Sequence, residues 1–168
     1  MQPDVANRGV AVAVEYGTIE RELHIEASPE VVFEVISSPE HIREWWGAET
    51  DIEPRAGSAG ELTWRDEASA AVKEVPITVT DVEPPRRFAF RWTQGPDEQP
   101  TASNSLLVTF ELSPSDSGTV LRFTETGFRE RGWDLALLEE AYHEHARGWD
   151  RFLPRIGERA TQNFPASS

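Results

Sequence analysis

The sequence predicts an α+β fold in which a curved antiparallel sheet wraps around one long C-terminal helix, with two short helices after the first strand. Three observations predict it. Two Ser-Pro-Glu segments follow one another at 28–30 and 38–40, and period-two apolar alternation fills the chain from Thr50 to Gly127. A single apolar stripe then runs from Leu135 to Ile156 at spacings of three and four.

TIERELHIEA alternates, with Ile19, Arg21, Leu23 and Ile25 on one side, and is expected to be the first strand. In SPEVVFEVIS, Ser28 can cap a helix, Pro29 fits its first turn and Glu30 suits its dipole. SPEHIREWWG repeats the device with Ser38, Pro39 and Glu40 and closes on Gly47. The strands that follow each carry an apolar face. These are Leu62 and Trp64; Val75, Ile77 and Val79; Phe88, Phe90 and Trp92; Leu106, Val108, Phe110 and Leu112; and Leu121 and Phe123. Pro84-Pro85, Gly95-Pro96 and Ser117-Gly118 punctuate them as turns.

The last helix is expected from about Trp133 to about Ala160. Its stripe is Leu135, Leu138, Tyr142, His145, Trp149, Phe152 and Ile156. Pro154 lies inside it and is expected to remove one hydrogen bond and bend the helix. The domain is thus expected over 18–160, between an extension at 1–17 and a tail at 161–168.

Composition narrows the function. The 168 residues suit one domain, and 16 basic against 30 acidic side chains give a net charge of −14. Such a charge repels phosphate backbones and anionic bilayers, so neither nucleic acid nor membrane is an expected partner. With no cysteine, disulfides, thiol catalysis and thiolate metal sites are excluded. The N-terminal stretch MQPDVANRGVAVAVEYG is unlike a signal peptide, and no run approaches the roughly 20 apolar residues of a membrane span. The expected compartment is the cytoplasm. One lysine, Lys73, among many arginines fits a GC-rich bacterial genome.

Four segments carry a family resemblance: IEASPEVVFEVISSPEHIREWWG, VTDVEPPRRFAFRW, TGF at 126–128, and HARGWDRFL at 145–153. Together they resemble the START-like (SRPBCC) helix-grip proteins, in the branch of activators of the heat-shock-protein-90 ATPase and their homologues. The resemblance covers nearly all of residues 18–160. It implies the helix-grip fold and a cavity between sheet and helix, but hardly an activity, because one fold hosts many functions. Co-chaperone members of the branch carry a separate N-terminal chaperone-binding domain, which residues 1–17 are too few to supply, so a role as a chaperone activator is not expected.

HIREWWGAET at 41–50 sharpens the question of a cavity. Adjacent residues cannot share one face of a helix, so if Trp45 enters the core Trp46 must do something else. The resemblance places the two short helices at one end of the cavity, with Trp46 bordering its mouth; the alternative is that both rings cap a solid core. Trp64, Phe90, Trp92, Phe110, Phe123, Tyr142 and Trp149 share the inward faces, and as candidate ligand contacts they either line that cavity or simply fill it.

The polar candidates are few. His145 lies in the apolar stripe one turn before Trp149, either as a hydrogen-bonded packing residue or as a ligand contact and acid–base group. Glu125 shares the parity of Leu121 and Phe123. It either faces inward, where a carboxylate needs a cationic or donor partner, or lies in solvent at the strand's rim, the reading its place at the strand end favours. Arg65 and Arg91 alternate outward. His143 and His145 diverge by about 200° on a helix, so they do not form a metal site, and neither metal nor cofactor is expected. No nucleophile elbow, phosphate loop or dinucleotide fingerprint is present.

The leading expectation is therefore a monomer or weak homodimer that binds a small apolar or aromatic molecule, lipid- or polyketide-like, between sheet and helix. A narrower form is sequestration of a natural product for self-resistance. A second expectation is a cyclase or hydrolase using Glu125 and His145 in the same cavity. A third is a stress-related protein-interaction or co-chaperone-like module, which would show an exposed apolar patch instead of a cavity.

Overall fold

Alternating side chains and short turns build one seven-stranded antiparallel sheet, curved around a long helix, in the computed structural model of the chain. The structure describes residues 16–66, 68–93 and 100–162. Most of the expected N-terminal extension, most of the tail and the turn at Gly95-Pro96 lie outside them. Strand β1 (Thr18–Ile25) leads into helices α1 (Pro29–Ser37) and α2 (Pro39–Trp46). Strands β2 (Glu49–Thr50), β3 (Ala59–Asp66), β4 (Ala71–Glu83), β5 (Arg87–Trp92), β6 (Leu106–Ser115) and β7 (Gly118–Thr126) follow, and helix α3 (Leu135–Thr161) comes last. The sheet order is β1-β7-β6-β5-β4-β3-β2, so every neighbour from β2 to β7 is sequential while β1 joins the far edge beside β7.

The two Ser-Pro-Glu segments act differently. The Ser28 hydroxyl accepts from the Val31 amide at 3.2 Å and caps α1. Ser38 sits at the N-cap of α2 but makes no side-chain cap; its amide instead donates to Glu34 O and closes α1, so one residue ends one helix and starts the next. Gly47 stops α2 in the left-handed region, at φ 77°, where a side chain would be strained.

The period-two faces meet in one core in which Leu62, Ile77, Phe88, Leu106, Phe110, Leu121 and Phe123 are almost wholly buried. Helix α3 lies over this layer. Asp134 caps it by accepting from the Leu137 amide at 2.9 Å, so it starts at Leu135, two residues later than the expected Trp133. Leu135, its first residue, is 68% exposed and does not belong to the stripe, because the helix has not yet reached the sheet there. Leu138, Trp149, Leu153 and Ile156 are buried, while Tyr142, His145 and Phe152 flank them at its margins. The helix runs unbroken through Pro154, whose ring is exposed. Arg21 pins it to β1 through a forked pair with Asp150, Nε to Oδ1 at 2.7 Å and Nη2 to Oδ2 at 3.2 Å. No helix of the described residues is long and apolar enough to cross a membrane.

Candidate ligand-binding cleft

Glu125 follows Leu121 and Phe123 inward along β7, and its side chain is completely buried. The rim reading is therefore wrong. Strands β1 and β6 flank β7 at this level, with Ile19 and Val108 opposite Glu125, and the helix closes over it. Taking a carboxylate out of water costs several kcal/mol unless hydrogen bonds replace its hydration. Three donors do so. Trp92 Nε1 of β5 donates to Oε2 at 2.9 Å, Trp149 Nε1 of α3 donates to Oε1 at 2.9 Å, and His145 Nδ1 lies 3.0 Å from Oε1. With the carboxylate ionised and accepting from both indoles, the third contact is made by a proton on Nδ1. The imidazole is thereby oriented. Its other nitrogen, Nε2, has no hydrogen-bond partner among the described residues and is not sealed in.

Above this cluster the indoles crowd together. Trp45 and Trp46 are both buried, with rings stacked in parallel at 5.3 Å and 5°. The expectation that the neighbours must part is corrected: long indoles at the end of a helix swing together, so both enter the core, and they differ in that only Trp46 also borders the cleft. The Trp45 edge reaches Phe110 and donates from Nε1 to Val35 O, whereas Trp46 meets Trp64, Trp92 and Trp149 at 5.1–5.4 Å. Trp64 Nε1 in turn donates to the Trp46 carbonyl at 3.2 Å and holds the end of α2 against β3.

A cleft of about 350 Å³ opens beside this cluster. Trp46 supplies its end, Trp64, Lys73 and Trp92 its sheet wall, and Glu144, His145, Gly148, Trp149 and Phe152 its helix wall. That volume is in the range of small-ligand sites. The space above Gly148 is open, with no atom within 4 Å of where a Cβ would stand. Lys73 Nζ lies 5.8 Å from the Trp64 ring centre, its cross-strand neighbour.

Of the expected contacts, the structure brings Trp46, Trp64, Trp92, His145 and Trp149 to the cleft, with Glu125 directly behind them. Phe90, Phe110 and Phe123 are core residues behind the wall; Phe123 packs on Trp149 at 4.5 Å. Tyr142 lies elsewhere, against Tyr16 and Phe128. It borders a larger and more polar cleft of about 730 Å³ with Arg21, Arg91 and Thr126. That space lacks an aromatic wall, and two of its cations are engaged, Arg21 by Asp150 and Arg91 by Ser105. Lys73, Glu144, Gly148 and Phe152 were missed as lining residues, although Phe152 stood in the helix stripe and Lys73 shares the parity of Val75, Ile77 and Val79 and could have been placed by it. Among the described residues no group of three or more side chains could hold a metal ion, and His143 is exposed.

Known proteins give this geometry a context. Residues 26–160 match the family model described as Activator of Hsp90 ATPase homolog 1-like protein. Protein MLL2253 from Mesorhizobium loti has a similar structure, with 26% identity and a TM-score of 0.66 over 87% of this chain and 99% of that one. The Aha1 dimer from Colwellia psychrerythraea is 19% identical, with a TM-score of 0.61 over 84% of this chain and 93% of that one. DynU16, a putative protein in the dynemicin biosynthetic locus, is 19% identical, with a TM-score of 0.64 over 84% of this chain and 46% of that one. The likenesses at 19% speak for the fold alone. No curated protein matches the chain in sequence.

Proposed function

The chain belongs to the family of Activator of Hsp90 ATPase homolog 1-like proteins, and we propose that it binds a small apolar or aromatic molecule in the cleft between its sheet and α3. One observation carries the reading. Four indoles and Phe152 border an open space whose inner edge holds a single oriented polar group, His145 on Glu125. Apolar walls with a few convergent polar atoms are how proteins hold small molecules. Sequestration of a natural product belongs to this proposal as its narrower form, in keeping with the origin of the DynU16 neighbour.

Native mass spectrometry on the protein freshly purified from its own host tests it. The expected result is a reproducible added mass that is lost on denaturation and absent from Gly148→Leu, whose side chain would fill the cleft. A bare mass, together with no heat of binding for any of a panel of apolar aromatics, overturns the reading.

One feature favours a second reading, an acid–base enzyme of the cyclase or hydrolase kind. With the Nδ1 proton shared with Glu125, Nε2 of a neutral His145, a residue that lines the cleft, would serve as the base. That reading expects a turnover rate abolished in His145→Ala while ligand affinity persists.

A further inference from the structure

We infer that the cleft selects aromatic molecules carrying a phenolic hydroxyl, which is held by His145 Nε2 and favoured by Lys73. This deepens the binding reading of the same cleft and rests on it.

The walls explain only a preference for flat apolar rings. Naphthalene-like and hydroxylated rings of equal shape would gain similarly from contact with Trp46, Trp64 and Trp149. The difference must come from the polar atoms, and these are few. Glu125 offers none to a ligand, since it is fully buried and its oxygens already accept three contacts. Its effect is exerted through His145. Because Nδ1 is turned to the carboxylate, Nε2 is the polar atom that His145, a lining residue, has to offer the cleft, and in a neutral imidazole it is an acceptor.

An acceptor in a largely apolar cleft rewards a ligand that brings a donor. It penalises one that covers it with a methyl or a ring edge, because the lone pair then loses water and gains nothing. An aliphatic alcohol could donate too, but its skeleton would not match walls made of indoles. A phenol satisfies both at once.

Charge at the mouth refines the class. The chain has one lysine and a net charge of −14, and that lysine lines this cleft. Its ammonium, beside Trp64, favours a ring whose hydroxyl is acidic and shares its proton with Nε2. Glu144 faces the same space from the helix wall and repels a ligand bearing several negative charges. The occupant that fits both is a neutral phenol or its monoanion, rather than a dicarboxylate or a phosphate ester.

Isothermal titration of the full chain with 7-hydroxycoumarin, 7-methoxycoumarin and coumarin separates these ideas, since the three share a ring system and differ in the donor. The expected result is that 7-hydroxycoumarin binds at least about fivefold more tightly than either analogue. His145→Phe, which keeps a ring and removes Nε2, should bring the three within about twofold of each other. Because His145→Phe also takes a donor from Glu125 and could unfold the chain, Lys73→Met provides a second variant at an exposed site; it should lower the preference for 7-hydroxycoumarin by about half or more. Equal binding of all three to the wild type overturns the phenol inference and leaves the apolar cleft standing. A preference unchanged in a folded His145→Phe also overturns it. Binding of none of the three overturns the cleft reading and the inference with it.

Discussion

Trp92 and Trp149, one on the sheet and one on the helix, point their indole N–H groups at opposite oxygens of the same buried carboxylate, each at 2.9 Å. The two rings also meet edge to face, with centroids 6.2 Å apart. The helix is thus held to the sheet by polar contacts as well as by ring packing, and Glu125 is the shared acceptor.

Glu125→Gln tests that role with little change of shape. The amide keeps one acceptor and turns a donor toward groups that are donors themselves. The expected loss is about 3 kcal/mol of unfolding free energy. Urea denaturation measures it, and a loss below about 1 kcal/mol would show that the carboxylate does not tie the layers together.

Phe110 should behave as core and not as cleft wall. It is completely buried and packs on Trp45 and Phe123. Phe110→Leu is expected to cost about 1–2 kcal/mol in stability while leaving coumarin affinities unchanged. Thermal melts and calorimetry on the same samples check both halves.

Gly148 offers a prediction of the opposite sign. It lies within α3, where glycine is less favourable than alanine by up to about 1 kcal/mol, and a methyl group there meets no atom. Gly148→Ala should therefore raise the melting temperature. A lower one would mean that the space above it is not open.

The Arg21–Asp150 fork should show no dependence on alkaline pH. Its hydrogen bond to Asp150, the largest cause, raises the Arg21 pKa above the ordinary arginine value. A group raised in this way stabilises the fold fully below its unfolded pKa and loses that contribution only as pH climbs through the folded one. That window lies beyond any pH at which proteins are handled. The pair is largely solvent-accessible, so Arg21→Ala is expected to cost less than about 1 kcal/mol. Chemical denaturation at about pH 7 and about pH 10 should return the same difference.

The layers of this fold were readable because the large apolar side chains recur at every second position of the strands and the helix stripe has one period, even though β4 carries a register shift between Val79 and Asp81. Phe88, Leu106 and Leu121 could hardly face anywhere but inward. Leu135 failed because periodicity does not say where a helix first touches its sheet. Glu125 was ambiguous for a related reason. Parity told its direction, but the depth of its strand in the sheet depends on β1, which arrives from the other end of the chain. The parallel stack of Trp45 on Trp46 was not legible at all, since it is a matter of side-chain rotation. Lys73 was legible by parity and escaped notice because β4 begins earlier than its apolar residues.

The pairing of β1 with β7 also governs the order of events at the ribosome. Thr18 lies opposite Thr126, so the first strand waits unpaired until almost the whole sheet has been synthesised. Contacts between such distant segments form slowly. Trp46, Trp64 and Trp92 emerge early as exposed indoles with nothing to cover them, and the helix that completes their enclosure is translated last. For that interval the nascent chain displays its greasiest surface, and holding it apart from neighbours is a task for the cell's own folding machinery.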